Sequence, residues 1–254
     1  MKKILLLASI LSSLVITPAW SGFVHISEQI TINNAKRFAL VIGNNGYRKY
    51  NINKAILDAQ NMTKALTELD FKVMNAFDVK DTMQFQKVLH DFEKQLDSNS
   101  IALIYFAGIG SQYQGKPYLL PIDHDFDDKS SPDKHGISLE NMMQTLYTRQ
   151  TLLNIFILDT QFNRSHASSP DIFSIPVTKN AIIAIATQPG ESAYEEEDGG
   201  VMTTALLKHI KDPKLTILDL FEAVETEMKA RQHVVVSYSL SEPFYFHSDK
   251  PAMR

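Results

Sequence analysis

Residues 37–43, running Arg37-Phe-Ala-Leu-Val-Ile-Gly43, form a nearly continuous apolar stretch closed by glycine. A strand with one wet face alternates apolar and polar residues. A strand without that alternation is covered on both faces, which demands a parallel sheet with helices above and below it. The next segments keep to that plan. Asn53 to Asp70 is predicted helical, with Ile56, Ala59, Met62, Leu66 and Leu69 on one side, and Phe71 to Phe77 reads as a second strand. Asp81 then caps a helix, Gln84 completes a capping box, and Phe85, Val88, Leu89, Phe92 and Leu96 recur at helical spacing. Strand, helix, strand, helix is the pattern of parallel strands joined by right-handed crossovers.

A third strand is predicted over Ile101–Phe106, ending in Ala107-Gly108-Ile109-Gly110. Ser111 to Pro121 reads as a hairpin turning at Gln114-Gly115-Lys116, and Ser138 caps a short helix through Leu146. Leu152–Leu158 is the fourth long strand and stops at Asp159; Ala181–Ala186 is the fifth. Gly199-Gly200 precedes a helix to Ile210, stopped by Pro213. Thr216 and Asp219 cap a last helix, whose face is Ile217, Leu220, Phe221, Val224 and Met228. Phe244-Tyr245-Phe246 is predicted as a closing strand. Only two connections are long, 123–137 and 160–179. Ligands of parallel sheets sit beyond the carboxyl ends of the strands. That singles out two loops, Gly108-Ile109-Gly110 and Asp159-Thr160-Gln161.

The first 21 residues read as a signal peptide. Lys2 and Lys3 form a basic start, Ile4–Ile16 an apolar segment, and Ala19-Trp20-Ser21 offers small residues for a cut before Gly22. Thirteen such residues are short against a span of about 20, so an uncleaved anchor is the lesser alternative and no stable membrane span is expected in the mature chain. The whole chain carries a formal charge of −4; removing two lysines brings it near −6. A mildly acidic chain without a basic stripe is a poor partner for nucleic acid. There is no cysteine, which excludes a disulfide framework and all thiol chemistry.

Taken with their surroundings, the two strand-end loops resemble the caspase-like peptidases, in particular the bacterial metacaspase and orthocaspase branch. The similarity rests on Arg37–Asn44 with Tyr47, on Asp58-Ala59, on Tyr105-Phe106-Ala107-Gly108, and on Gln112, Gly115, Tyr118–Pro121 and Asp123. It continues through Ile157-Leu158-Asp159, Ala186–Gly190, Ala193-Tyr194, Ser239-Leu240 and Phe244–Phe246. It implies a caspase-like three-layer α/β sandwich, a mostly parallel sheet of about six strands with helices on both faces. The implied divisions are a signal peptide at 1–21, an extension at 22–36, the caspase-like domain at 37–247 and a tail at 248–254.

At the two dyad positions the resemblance fails. The family ends its third strand in Gly-His-Gly, with histidine as general base, and its fourth in Asp-x-Cys, with cysteine as nucleophile. Here those positions hold Ile109 and Gln161. Isoleucine cannot move a proton, and a glutamine amide is no useful nucleophile. Among other hydroxyls near the strand ends, Ser111, Thr160 and Ser165 (with His166 beside it) lack the elbow motif and the oriented base that a substitute mechanism needs.

Asp159 remains, and in metacaspase-like relatives that acid contacts a basic substrate side chain; the alternative is a strand-end aspartate capping backbone amides. Glu195, Glu196 and Glu197, followed by Asp198, fall on a loop that borders the cleft in relatives, or else on a solvated face. Asp123, Asp125 and Asp127 alternate like a calcium loop, but Asp128 and Lys134 occupy the positions that need glycine and glutamate. No metal and no cofactor are expected. The expectation is an exported pseudopeptidase, periplasmic or secreted, that binds a protein or a basic peptide. The alternatives are an active hydrolase of the same family with an unidentified nucleophile, and a structural domain with a blocked cleft.

Overall fold

The computed structural model describes residues 35–50, 52–127, 132–164, 177–187, 195–196, 199–228 and 233–247, with backbone only at 161–164 and 195–196. The expected signal peptide with its cut before Gly22, the tail at 248–254, and Ser165, His166 and Glu197 lie outside them.

In chain order the elements are β1 (Lys36–Gly43), α1 (Ala55–Glu68), β2 (Lys72–Phe77), α2 (Thr82–Glu93), β3 (Ser100–Tyr113), β4 (Lys116–Leu119), α3 (Pro132–His135), β5 (Ile137–Ser138) and α4 (Leu139–Thr148). They are followed by β6 (Leu153–Arg164), β7 (Ala181–Ile185), β8 (Glu195–Glu196), β9 (Gly199–Gly200), α5 (Val201–His209), α6 (Ile217–Met228) and β10 (Val235–Ser239). Six strands form the body of the main sheet in the order β10-β7-β6-β3-β1-β2, and β4 with β5 extends it from β3. β2, β1, β3, β6 and β7 are parallel, and β10 joins that body antiparallel, against β7.

Each apolar strand feeds two cores. Val41, Leu103, Tyr105, Ile155, Ile157 and Ile182 point to one layer, where they meet Met62 and Leu66 of α1, Met202 and Leu206 of α5 and Phe221 of α6. Their neighbours Leu40, Ile42, Ile104, Phe106, Phe156 and Ile183 point the other way, to Phe85 and Phe92 of α2 and Met142 and Leu146 of α4. With a helix layer on either side, central strand positions are covered on both faces, which is why 38–42 in β1, 101–107 in β3 and 155–158 in β6 are unbroken apolar runs. The expected three-layer α/β sandwich is what the chain forms. Both N-caps form, the Asp81 carboxylate accepting from Gln84 N–H at 2.8 Å and Ser138 Oγ from Asn141 N–H at 3.4 Å, but the Gln84 side chain accepts from Lys80 N–H at 2.7 Å and not from Asp81 as a capping box would have it.

Two expectations need correction. Phe244–Phe246 is not a strand; Phe244 and Phe246 are buried rings in the α1–α5–α6 layer. Arg37 holds this segment by donating to the carbonyls of Tyr245 and Phe246, with its guanidinium carbon 5.4 Å from the centre of the Phe244 ring. The closing strand is instead Val235–Ser239. The other correction is length. β3 does not stop at Phe106 but runs to Tyr113, and β6 does not stop at Leu158 but runs to Arg164.

Candidate functional site

β3 and β6 stay in parallel register past their expected ends. Gly108 lies opposite Thr160, Ile109 opposite Gln161, and the pairing continues to Gln112 opposite Arg164. The two positions singled out in the sequence are therefore direct neighbours across the sheet. The chain can pass Gly108 in extended form because glycine tolerates its φ of 156°, and a Cβ there would lie 2.7 Å from the Tyr47 hydroxyl oxygen.

Ile109 is fully buried, in a small cluster with Tyr47, Tyr118 and Leu120. Its N–H donates to the Tyr47 hydroxyl at 2.9 Å, and that hydroxyl donates to the Leu120 carbonyl at 2.9 Å. Leu120 N–H closes the loop on the Ile109 carbonyl at 3.0 Å. Burial pushes the Tyr47 phenol well above its ordinary range, with the bond from Ile109 N–H opposing. Tyr47 is a neutral strut here. Thr160 is likewise occupied: its hydroxyl donates to the Gly108 carbonyl at 2.7 Å. Ser111 is buried.

On the α1–α5 side of the same strand ends lie two buried carboxylates. Asp159, 9% exposed, accepts from Thr203 N–H at 3.2 Å and from the Thr203 hydroxyl at 2.5 Å. The Thr203 oxygen lies 2.6 Å from the Tyr105 hydroxyl, which completes a relay of Tyr105 to Thr203 to Asp159. Asp58, 3% exposed, accepts Gly200 N–H on both oxygens, at 3.0 and 3.1 Å. Both acids thus meet the first turn of α5, where unpaired N–H groups and the helix dipole favour negative charge. Burial, then Asp159, then Asp58 push the Tyr105 phenol up. The two glycines make this approach possible. A Cβ on Gly199 would lie 2.2 Å from Asp58 Oδ1, and one on Gly200 2.6 Å from Asp159 Oδ2.

The acidic run is brought to the same place. β8 pairs antiparallel with β9, Glu195 opposite Gly200 and Glu196 opposite Gly199. Its backbone therefore borders the two buried acids. The third acidic segment is elsewhere. Asp127 N–H donates to Asp125 Oδ1 at 2.9 Å and the Asp127 carboxylate pairs with Lys49. Among the described residues no group of three His, Asp or Glu side chains is placed to hold a metal ion.

Sequence reasoning named Asp159, Glu195, Glu196, Ile109 and Gln161, and the fold gathers all of their backbones at one sheet end. It gave no role to Asp58, Tyr47 or Thr203. Asp58 did leave a signal. It occupies position i+3 of the stripe Ala55, Ala59, Met62, Ala65, Leu66, a charge on an otherwise apolar helix face.

A mostly parallel sheet between two helix layers, with its candidate cleft where the third and sixth strands end, defines a caspase-like α/β domain. The model of the caspase domain, peptidase C14, matches residues 36–245, and the chain belongs to that family. It is similar to the human mucosa-associated lymphoid tissue lymphoma translocation protein 1, with 28% identity over 220 residues. The mouse homologue matches to the same extent. The alignment takes in 81% of this chain but 26% of each relative, so the chain spans about a quarter of their length. Among solved structures the fold is similar to caspase-1 from Spodoptera frugiperda, with a TM-score of 0.68, 16% identity, and coverage of 87% of this chain and 93% of that one. Among the described residues no helix is long and apolar enough to cross a membrane.

Proposed function

We propose that this chain is a pseudopeptidase of the metacaspase and orthocaspase branch, exported to the periplasm or beyond, which binds a protein or peptide without cutting it. The observation that carries this reading is the state of the general-base position. Ile109 is fully buried and walled by Tyr47, Tyr118 and Leu120, so the space is a miniature core in place of an open catalytic corner. The neighbouring position is Gln161, and the chain has no cysteine to serve as nucleophile. A peptidase assay with Arg- and Lys-containing peptides tests it. The expected result is no turnover above a buffer blank. Turnover that survives repurification and is abolished by a point change in this chain overturns it. Export is tested separately by N-terminal sequencing, where Gly22 is expected and Met1 refutes.

Binding of a basic side chain is proposed at Asp159, with the acidic run Glu195-Glu196-Glu197 assigned to its rim by the family resemblance. A charge-assisted bond from a bidentate arginine contributes about 1.5–3 kcal/mol, which is about tenfold or more in affinity. Asp159→Asn is expected to weaken an Arg peptide by about that factor and to leave its Ala counterpart unchanged. One observation favours a second reading: Asp159 already holds the Thr203 N–H and hydroxyl. If Arg and Ala peptides bind the unmutated protein equally, Asp159 is an anchor for α5 and the domain is structural.

A further inference from the structure

On the opposite face of the sheet, α2 and α4 do not close over β5. They leave a groove of about 400 Å³, within the size range of ligand pockets. Its apolar lining includes Leu89, Ile137 and Met142, and its polar lining includes Thr145 and Asn141 from α4 and Glu93 from α2. We propose that this groove binds an alkyl chain ending in a cation, a guanidinium or an ammonium group, with Glu93 as the anchor.

The argument begins with Glu93. Its side chain is only 15% exposed, yet its ion pair with Arg149 spans 3.8 Å, the outer limit of such a contact. For a carboxylate partly withdrawn from water that is weak compensation. In keeping with this, burial outweighs Arg149 and His90 together and holds the Glu93 carboxyl above its usual range. Of the groove's two lysines, Lys116 is paired with Glu140 at 2.7 Å and Lys134 is not among the charges that act on Glu93. The ligand class follows from the rest of the lining. Buried Ile137 and Met142 suit a methylene stem, which long cationic side chains lay against apolar surface while the head stays polar. The hydroxyl of Thr145 and the amide of Asn141 add acceptors beside the path.

The same chemistry is carried by an arginine side chain of a peptide and by a free polyamine, so both are used as probes. The full chain, labelled with ¹³C at its methionine methyls, is titrated with a blocked Gly-Arg-Gly peptide, its citrulline counterpart, and spermidine. The Met142 signal is assigned with Met142→Leu. The expected result is a saturable shift of the Met142 methyl by the Arg peptide, by spermidine or by both, and none by the citrulline peptide. The tighter of the two cations identifies the source. Glu93→Gln is expected to weaken binding at least tenfold. No shift with either cation, equal binding of citrulline, or full affinity in Glu93→Gln each overturns the proposal.

Discussion

If the dyad position is a miniature core, it must behave as one when its atoms are removed. Ile109 is fully buried, and its surroundings are poorly able to collapse. Tyr47 is held at its hydroxyl by two hydrogen bonds, and Leu120 is tied to Ile109 through the backbone. Truncating a buried isoleucine to alanine costs about 2–5 kcal/mol, the larger values where the cavity persists. Ile109→Ala is therefore expected to lower stability by about 3 kcal/mol or more, and Ile109→Val by about 0.5–1.5 kcal/mol. Urea unfolding followed by circular dichroism reads both, as a fall in midpoint at constant slope. An open catalytic corner predicts otherwise, since exposed substitutions stay within about 0.5 kcal/mol. A cost for Ile109→Ala below that figure refutes the reasoning and reopens the cleft. Ile109→His is informative in the same assay. It places an imidazole among apolar groups, where an unpaired polar group costs about 1–3 kcal/mol and desolvation disfavours the charged form.

Tyr47→Phe removes the acceptor of the Ile109 N–H but leaves the Leu120 carbonyl a second donor in Asn44 Nδ2 at 3.3 Å. One orphaned buried donor predicts a loss of about 1–3 kcal/mol in urea unfolding; a loss under about 0.5 kcal/mol would show that water or another group takes over. Asp97 gives a pH test. Its hydrogen bond from Lys36, with further bonds from Ser100 and Asn99, holds its carboxyl down at about 2 against an ordinary 3.8. Because the folded value is depressed, this group's contribution is present above the unfolded value and is lost as pH falls from 3.8 toward 2. Acid titration of Asp97→Asn is expected to show a shallower decline across that window, and an unchanged profile would dismiss the effect. Glu93 has the opposite sign. Its raised carboxyl makes the charged form a liability, so Glu93→Gln is expected to melt higher at pH 7, with the gap narrowing as pH falls and Glu93 itself protonates. A lower melting temperature at pH 7 would refute it.

The layered sheet was legible because covered strands cannot alternate, and Arg37–Gly43 does not. The absence of a histidine at 109 and of a cysteine at 161 was legible too, since it depends only on residue identity. What surrounds Ile109 was not. Ile109 is sealed by Tyr47, which lies in the loop after β1 and far away in sequence. Nothing at either position announces the partner. The strand extensions were hidden behind Gly108, which reads as a stop where a side chain would clash, yet lets β3 continue. Val235–Ser239 was overlooked in favour of the aromatic run Phe244–Phe246. Three aromatic residues in sequence carry a strong strand propensity, but here two of the rings serve as core filler under an arginine clamp.

The sheet order has a consequence for how the chain must be assembled and kept soluble. After β1 and β2, each added strand of the main body lies outside the one before it: β3 on β1, β6 on β3, β7 on β6, β10 on β7. A chain emerging from its N-terminus can lay these strands down in turn, with no insertion between strands already paired. The hazard comes late. β7 is Ala181-Ile-Ile-Ala-Ile185, apolar at every position, and until β10 arrives its outer row of N–H and C=O groups is bare. Such an uncharged edge is a template for pairing with other chains. β10 covers it with Ser237 and Ser239 among its residues and the exposed Tyr238 between them, so the strand that sequence reading overlooked is the one that guards the sheet.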